Sequence, residues 1–533
     1  MKLPRIFWLV TIASGVGFAC SVPSGALTGS ADDPGSVPAG GSEAGVGVDG
    51  GAAEPPPAGG SQPDEQFPSA LLAPYTGPPN TEYDDTFVGY MQLKGRITQT
   101  FADPNIGGGT EAYFGARIAL LGGADFKTTF AEARVASPDF LVALDGIAKD
   151  ACGRAAANKT GPFAGTDPGA VTPGGEGAII TRLHQKILLR DPTASEVTDA
   201  TALSVALRPL SASPADAWAG VCEALVRHPD FLFTLPPSAS TLTGAARERM
   251  QLVKLAMDLV ARTPLATELE ALAGKSVEEK VAFFMATKDF RDFYFHRARV
   301  RTESTGSDEA DEPARLWTYL MLNGAPMQEV LTADYSVDPS FAKVPRGPEH
   351  GKSGVLTMPG FVKTKPGLPH FNYAARVMTD YMGQLFEITP AILAGRVNAT
   401  ASSTVQPGSL CISCHGILTP LAHQRMRWGD DGVYRGSDDG GAPIDDSDQN
   451  LVPDYAFKGS GMESFAAAAV RKEKFMRQTF QAQFLFLLGR QMRFDQDERG
   501  VYLALWRAAF ASTGDLREVV KIIASSVPGY LGN

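Results

Sequence analysis

Residues 411 to 416 read Cys-Ile-Ser-Cys-His-Gly. Two thiols three positions apart, followed at once by an imidazole, form the attachment pattern for c-type haem. Each thiol can make a thioether to one porphyrin vinyl group, and the neighbouring imidazole then reaches the iron as the proximal ligand. With five cysteines and seven histidines in 533 residues, random shuffling would give such a run on the order of one time in a thousand. The spacing also serves zinc, which needs a second pair of ligands, and redox disulfides, which need a strand leading into a helix. Neither feature stands out around the motif, so the expected cofactor is covalent haem c. Cys411 and Cys414 are its attachment residues and His415 its axial ligand.

A haem iron held by His415 has a second axial position. His423 follows eight residues later, with Pro420 between them. A fully extended chain of that length spans at most about 28 Å, enough to round the ring edge, whereas a helix keeps His423 on the side of His415. Met426 meets the same difficulty. Met462 is the candidate metal ligand farther along the chain, weighed against the commoner fate of a methionine as core filler. An open or water-filled position is the third option.

Haem is attached to such motifs outside the bacterial cytoplasm, so the N-terminus matters. Lys2 and Arg5 precede the apolar run Ile6 to Ala19, the charged and hydrophobic regions of a secretory signal. The run is short for a membrane span. It ends in Gly17-Phe18-Ala19-Cys20, similar to a lipobox, with Cys20 as the lipidation residue; an ordinary signal peptide is the alternative. Residues 21–66 are mainly Gly, Ala, Pro, Ser and Asp and read as a disordered tether. The expected location is the cell envelope, as an outer-membrane lipoprotein facing periplasm or cell surface, with the membrane a partner through the anchor at Cys20. A net charge of -11 without a Lys/Arg run excludes nucleic acid as a main partner.

Beyond Phe67 the apolar spacing is helical, as in AARERMQLVKLAMDLVA (245–261) and EPARLWTYLMLN (312–323). The expected fold is mainly α, a multi-module helical protein with a small turn-rich or β-hairpin segment after the C-x-x-C-H motif. Residues 67–340 form one or more helical modules, 341–450 the module carrying the motif, and 451–533 a C-terminal module of three helices. Asp515 and Glu518 have capping-box spacing for the last helix. The acidic stretch 429–450 lacks EF-hand spacing; it reads as a hairpin with Val433 to Arg435 going out and Ala442 to Ile444 returning. Cys152 and Cys222 are the candidate disulfide, with two buried thiols as the alternative. The segments Ser137-Pro138-Asp139-Phe140-Leu141 and His228-Pro229-Asp230-Phe231-Leu232 echo one another, as related helical units or as a recurring way to end a helix.

Taken in order, RLHQKILLRDPTASEV, ALVRHPDFLF, SGVLTMPGF, CISCHGILTPLAHQRMRWGDDGVYR, FLFLLGR and DLREVVKIIASSVPGYL resemble an exported planctomycete and myxobacterial family of domain-of-unknown-function proteins with a cytochrome c-like motif. The resemblance implies a helical module, a module ending in C-x-x-C-H, a short C-terminal helical module and a c-type cytochrome role. It carries Cys411, Cys414 and His415 over as haem residues and nothing catalytic. The chain departs from that pattern at Thr419 and over His423 to Trp428. No G-x-S-x-G, H-E-x-x-H or Walker motif occurs. An electron carrier with an unknown redox partner is therefore expected rather than an enzyme. The other reading is a surface lipoprotein whose helical modules bind a protein or polysaccharide.

Overall fold

The computed structural model describes residues 68–73, 75–77, 87–102, 110–126, 129, 131–133, 135–172, 174–234, 242–347, 350–363, 369–385, 412–429, 432–437, 441–444, 461–511, 514–527 and 530–531. The signal sequence, Cys20 and the tether lie outside them. The described residues belong to one unit, Gly59–Asn533, and none of their helices is long and apolar enough to cross a membrane.

The protein is mainly α. Its first core is built by α1 (Tyr90–Phe101), α2 (Pro138–Asn158), α3 (Glu176–Leu183), α4 (Ala194–Leu207) and α5 (Pro214–Val226). Their starts are encoded locally. Ser137, Thr193 and Ser213 each accept a backbone N–H from the first helical turn, and such caps contribute about 1 kcal/mol apiece. Cys152 of α2 is disulfide-bonded to Cys222 of α5, with 5.8 Å between their Cα atoms.

The next helix, α6 (Gly244–Val260), carries two apolar stripes. Met250, Val253 and Met257 enter the first core. Leu252, Leu255, Ala256 and Leu259 enter a second. A helix apolar on two faces has to be buried between partners. The second core continues through α7 (Ala266–Leu272), α8 (Val277–Met285), α9 (Lys288–Arg301), α10 (Glu312–Asn323), α11 (Pro369–Met382), α12 (Ile412–Gln424), α13 (Gly461–Ala469), α14 (Glu473–Leu487), α15 (Arg499–Ala511) and α16 (Leu516–Ser526). It joins residues from Leu252 to Leu531, crossing positions 340 and 450, where the sequence reading drew module boundaries.

Three arginines close nearly the same circuit. Leu189, Ala261 and Gly489 have left-handed backbones, with φ of 60°, 53° and 69°, and each precedes an arginine. Arg190 makes a two-pronged bond to Glu196 at 2.9 and 2.6 Å. Arg262 does the same to Glu268 at 2.8 and 2.8 Å, and Arg490 likewise grips Glu498. Each glutamate also accepts a backbone N–H from a few residues upstream, that of Thr193, Leu265 or Arg493. In the first two circuits the arginine reaches on to the aspartate of a later helix start, Asp230 at 2.7 Å and Asp289 at 2.6 Å. Asp230 and Asp289 stand in similar segments, His228-Pro229-Asp230-Phe231 and Thr287-Lys288-Asp289-Phe290, and these, like Ser137-Pro138-Asp139-Phe140, begin helices instead of ending them.

Three expectations about local structure change. The two-stranded sheet among the described residues precedes the motif: β1 (Tyr335–Val337) pairs antiparallel with β2 (Lys343–Pro345). Asp338 closes its turn by accepting the N–H groups of Ser340 and Ala342, both at 2.9 Å. After the motif two bridges follow one another along the chain. Tyr434 bridges to Trp428 and Ser437 to Pro443, so Val433 to Arg435 pair backward with the end of the motif segment instead of forward with Ala442 to Ile444. In the C-terminal part, the first expected helix is broken at Lys472 into α13 and α14. Asp515 caps α16 by accepting the Arg517 N–H; Glu518 turns to Lys521 at 2.6 Å, so the capping box is not formed.

Candidate functional site

The C-x-x-C-H motif opens α12 (Ile412–Gln424). Cys411 lies outside the described residues. Cys414 and His415 are the third and fourth residues of the helix, described through their backbone. The chain stays helical past Pro420 to Gln424. The extended course that would carry His423 around a ring edge is therefore not taken, and His423 stays on the helix that begins with His415.

Beyond that first turn, α12 is held from one side. Leu421 is buried in the second core, with Ile417 and Leu418 packed against it, and α11 is its main helical neighbour. Its far end is pinned by Arg425, which is fully buried. Arg425 donates to the Val362 carbonyl at 3.3 and 3.0 Å, to the Trp428 carbonyl at 3.3 Å and to the Gly429 carbonyl at 3.4 Å. It also donates to His370 Nδ1 at 3.0 Å. An arginine only donates, so His370 Nδ1 accepts and the neutral ring carries its proton on Nε2. The chain then folds back, and Trp428 packs edge-on against Tyr434 with 5.4 Å between ring centroids. The stretch from His423 to Trp428, which departs from the family-like pattern, thus supplies the anchor of the motif helix. A lone arginine gave no sign of this in the sequence, because its acceptors come from residues 362 and 370 as well as its own turn.

Met462, on α13, is buried in the second core. Its Sδ lies 3.5 Å from the Tyr373 hydroxyl. That hydroxyl also meets the Leu356 carbonyl at 2.8 Å, and with one proton to give it serves the carbonyl, the stronger acceptor. The sulfur is packed in the core without a strong donor on it. Tyr373 belongs to α11, so Met462 and the motif helix pack on the same helix.

Cys152 and Cys222 are joined to each other, some way along the chain from the motif. Among the described residues no three His, Cys, Asp or Glu side chains converge as a metal site. Compared with family models, with curated proteins and with solved structures, the chain matches none.

Proposed function

We propose that this chain is an exported, lipid-anchored c-type haem protein that carries electrons. The observation that carries the reading is the C-x-x-C-H run at the head of α12. Positions i, i+3 and i+4 fall on one helical face, so a helix continued back to Cys411 would bring both attachment residues and His415 to a single surface. The residues present fit the group: two thiols for the vinyl carbons, one imidazole for the iron, and a helix whose other end Arg425 fixes. Haem, when bound, supplies a one-electron couple. The chain's part is to hold it covalently and to set its surroundings. Met462, which shares the neighbour α11 with the motif helix but is packed in the core, would be the sulfur to serve as a second ligand and would then raise the potential, with water or an open position as the other choice.

Cys20 supports the envelope reading, as the residue that would take the lipid after the signal run. The tether 21–66 would then hold the folded body off the membrane. The test is a haem stain of the denatured protein after export from a host that matures c-type cytochromes. Stain should persist through denaturation and vanish in the Cys411→Ala/Cys414→Ala variant. Thiols at 411 and 414 that remain free to alkylate in the exported protein would overturn the reading.

A further inference from the structure

A cavity of about 300 Å³ lies between α9, α10 and α14. It is at the lower end of the volumes of small-molecule sites, roughly 300–1,000 Å³. Ala298, Val300, Ala482, Leu485 and Phe486 give it apolar walls. The polar groups on it are few and unequal. Glu132 on its rim is committed to two partners, His296 Nε2 at 2.7 Å and Arg297, so the Arg297 charge is matched. Tyr294 and Gln483 are paired with each other, with the Gln483 amide donating to the Tyr294 hydroxyl at 3.2 Å.

Arg301 is different. It sits one turn beyond Arg297 on the same face of α9, with its guanidinium over the Trp317 ring, 4.8 Å from the centroid. One amino group donates to the Asp380 carbonyl at 3.0 Å, a neutral acceptor. Its Nε is buried with no hydrogen-bond partner, and among the described residues no carboxylate pairs with it. The cavity is thus lined by one partly exposed cation, Arg301, that no carboxylate of the described residues neutralises.

We propose that this cavity binds a small amphipathic monocarboxylate, with its carboxylate on Arg301 and its apolar body along Ala298, Ala482 and Phe486. A single net charge selects a monoanion over a phosphate ester. The guanidinium presents its donors in a planar fork that suits a carboxylate, and the other polar groups on the walls, Glu132, Arg297, Tyr294 and Gln483, are paired among themselves or with His296. None of the lining residues lies on α11, α12 or α13; the one link to them is the Arg301 bond to the Asp380 carbonyl of α11.

The test is isothermal titration of the full chain with octanoate and, separately, with 1-octanol, which has the same apolar body and no charge. Octanoate is expected to bind saturably at one site, at least about tenfold tighter than octanol, since a charged hydrogen bond contributes on that order. Arg301→Met should reduce octanoate binding by at least tenfold and leave octanol unchanged. Because Arg301 also holds the Asp380 carbonyl, a second variant guards the result: Ala482→Phe fills the cavity while keeping Arg301 and should abolish both. Equal binding of octanoate and octanol, no saturable octanoate binding, or octanoate affinity unchanged in the folded Ala482→Phe protein would each overturn the proposal.

Discussion

Lys254 and Asp258 stand one turn apart on α6 and form an ion pair with 3.1 Å between Nζ and Oδ2, where both side chains are almost wholly removed from solvent. The pair is a junction between distant parts of the chain. Asp258 accepts from the Gln92 amide of α1 at 3.3 Å and from the Tyr530 hydroxyl at 3.0 Å. Lys254 donates to Thr234 at 3.1 Å and lies 4.8 Å from the Tyr530 ring centroid. Since α6 also lies between the two apolar cores, the polar network and the hydrophobic seam coincide.

Removing one member leaves the other as an uncompensated buried charge. Asp258→Leu should therefore destabilise the protein by about 3–5 kcal/mol in urea unfolding, and Lys254→Met by a similar amount. The double variant Lys254→Met/Asp258→Leu should recover most of the loss, because two apolar side chains orphan no charge. A double variant as unstable as the sum of the singles would show that the pair does not act as a unit.

The Cys152–Cys222 bond closes a separation of 70 residues. Cross-linking a loop of that length restricts the unfolded chain by about 4 kcal/mol on the chain-entropy account. The Cys152→Ala/Cys222→Ala variant should lose stability of that order while α2 and α5 still pack. Reduction of the native protein should have the same effect on its unfolding midpoint, and no response to reductant would contradict the pairing.

The Arg190 circuit implies a pH signature. The Arg190 hydrogen bonds hold the Glu196 carboxyl down at about 2, from an ordinary 4.5, against the opposing effect of burial. A carboxyl depressed in the folded state stabilises above its unfolded pKa and loses that contribution as pH falls. Its share of stability should be complete above about pH 4.5 and vanish toward pH 2. Glu196→Gln should be less stable at neutral pH and show a shallower acid limb in the same window. Equal acid limbs in the two proteins would contradict the circuit.

Arg425 makes the most specific claim about the motif segment. Arg425→Met strips donors from the Val362, Trp428 and Gly429 carbonyls, each worth about 1–3 kcal/mol when orphaned in the interior. Amide exchange over α12 should speed up at least tenfold, with exchange in α2 and α5 unchanged. Unaltered protection of α12 would show that its anchorage lies elsewhere.

Helices were legible because their apolar spacing is local; α5, α6 and α10 fall where periodicity puts them, whereas Ser137-Pro138 and His228-Pro229, which read as ways to end a helix, begin one. Pairings were less legible. The β1–β2 hairpin is three residues on each side, too short for an alternating pattern to show, and its turn depends on the Asp338 side chain. Tyr434 chose Trp428 over a partner near Pro443 because the ring contact pulls the chain back onto the core. The arginine circuits escaped notice because their members are 6 to 40 positions apart and the intervening loops differ. The motif itself was read from spacing alone, whereas Arg425, which anchors its helix, depends on tertiary acceptors that no local pattern records.

The most direct test of the central claim is the absorption spectrum of the intact protein, exported from a host able to mature c-type cytochromes and reduced with dithionite. The account predicts a Soret band with a sharp α-band, both lost when His415→Ala is combined with Cys411→Ala and Cys414→Ala. A colourless protein from that host, folded and with both motif thiols intact, would contradict it.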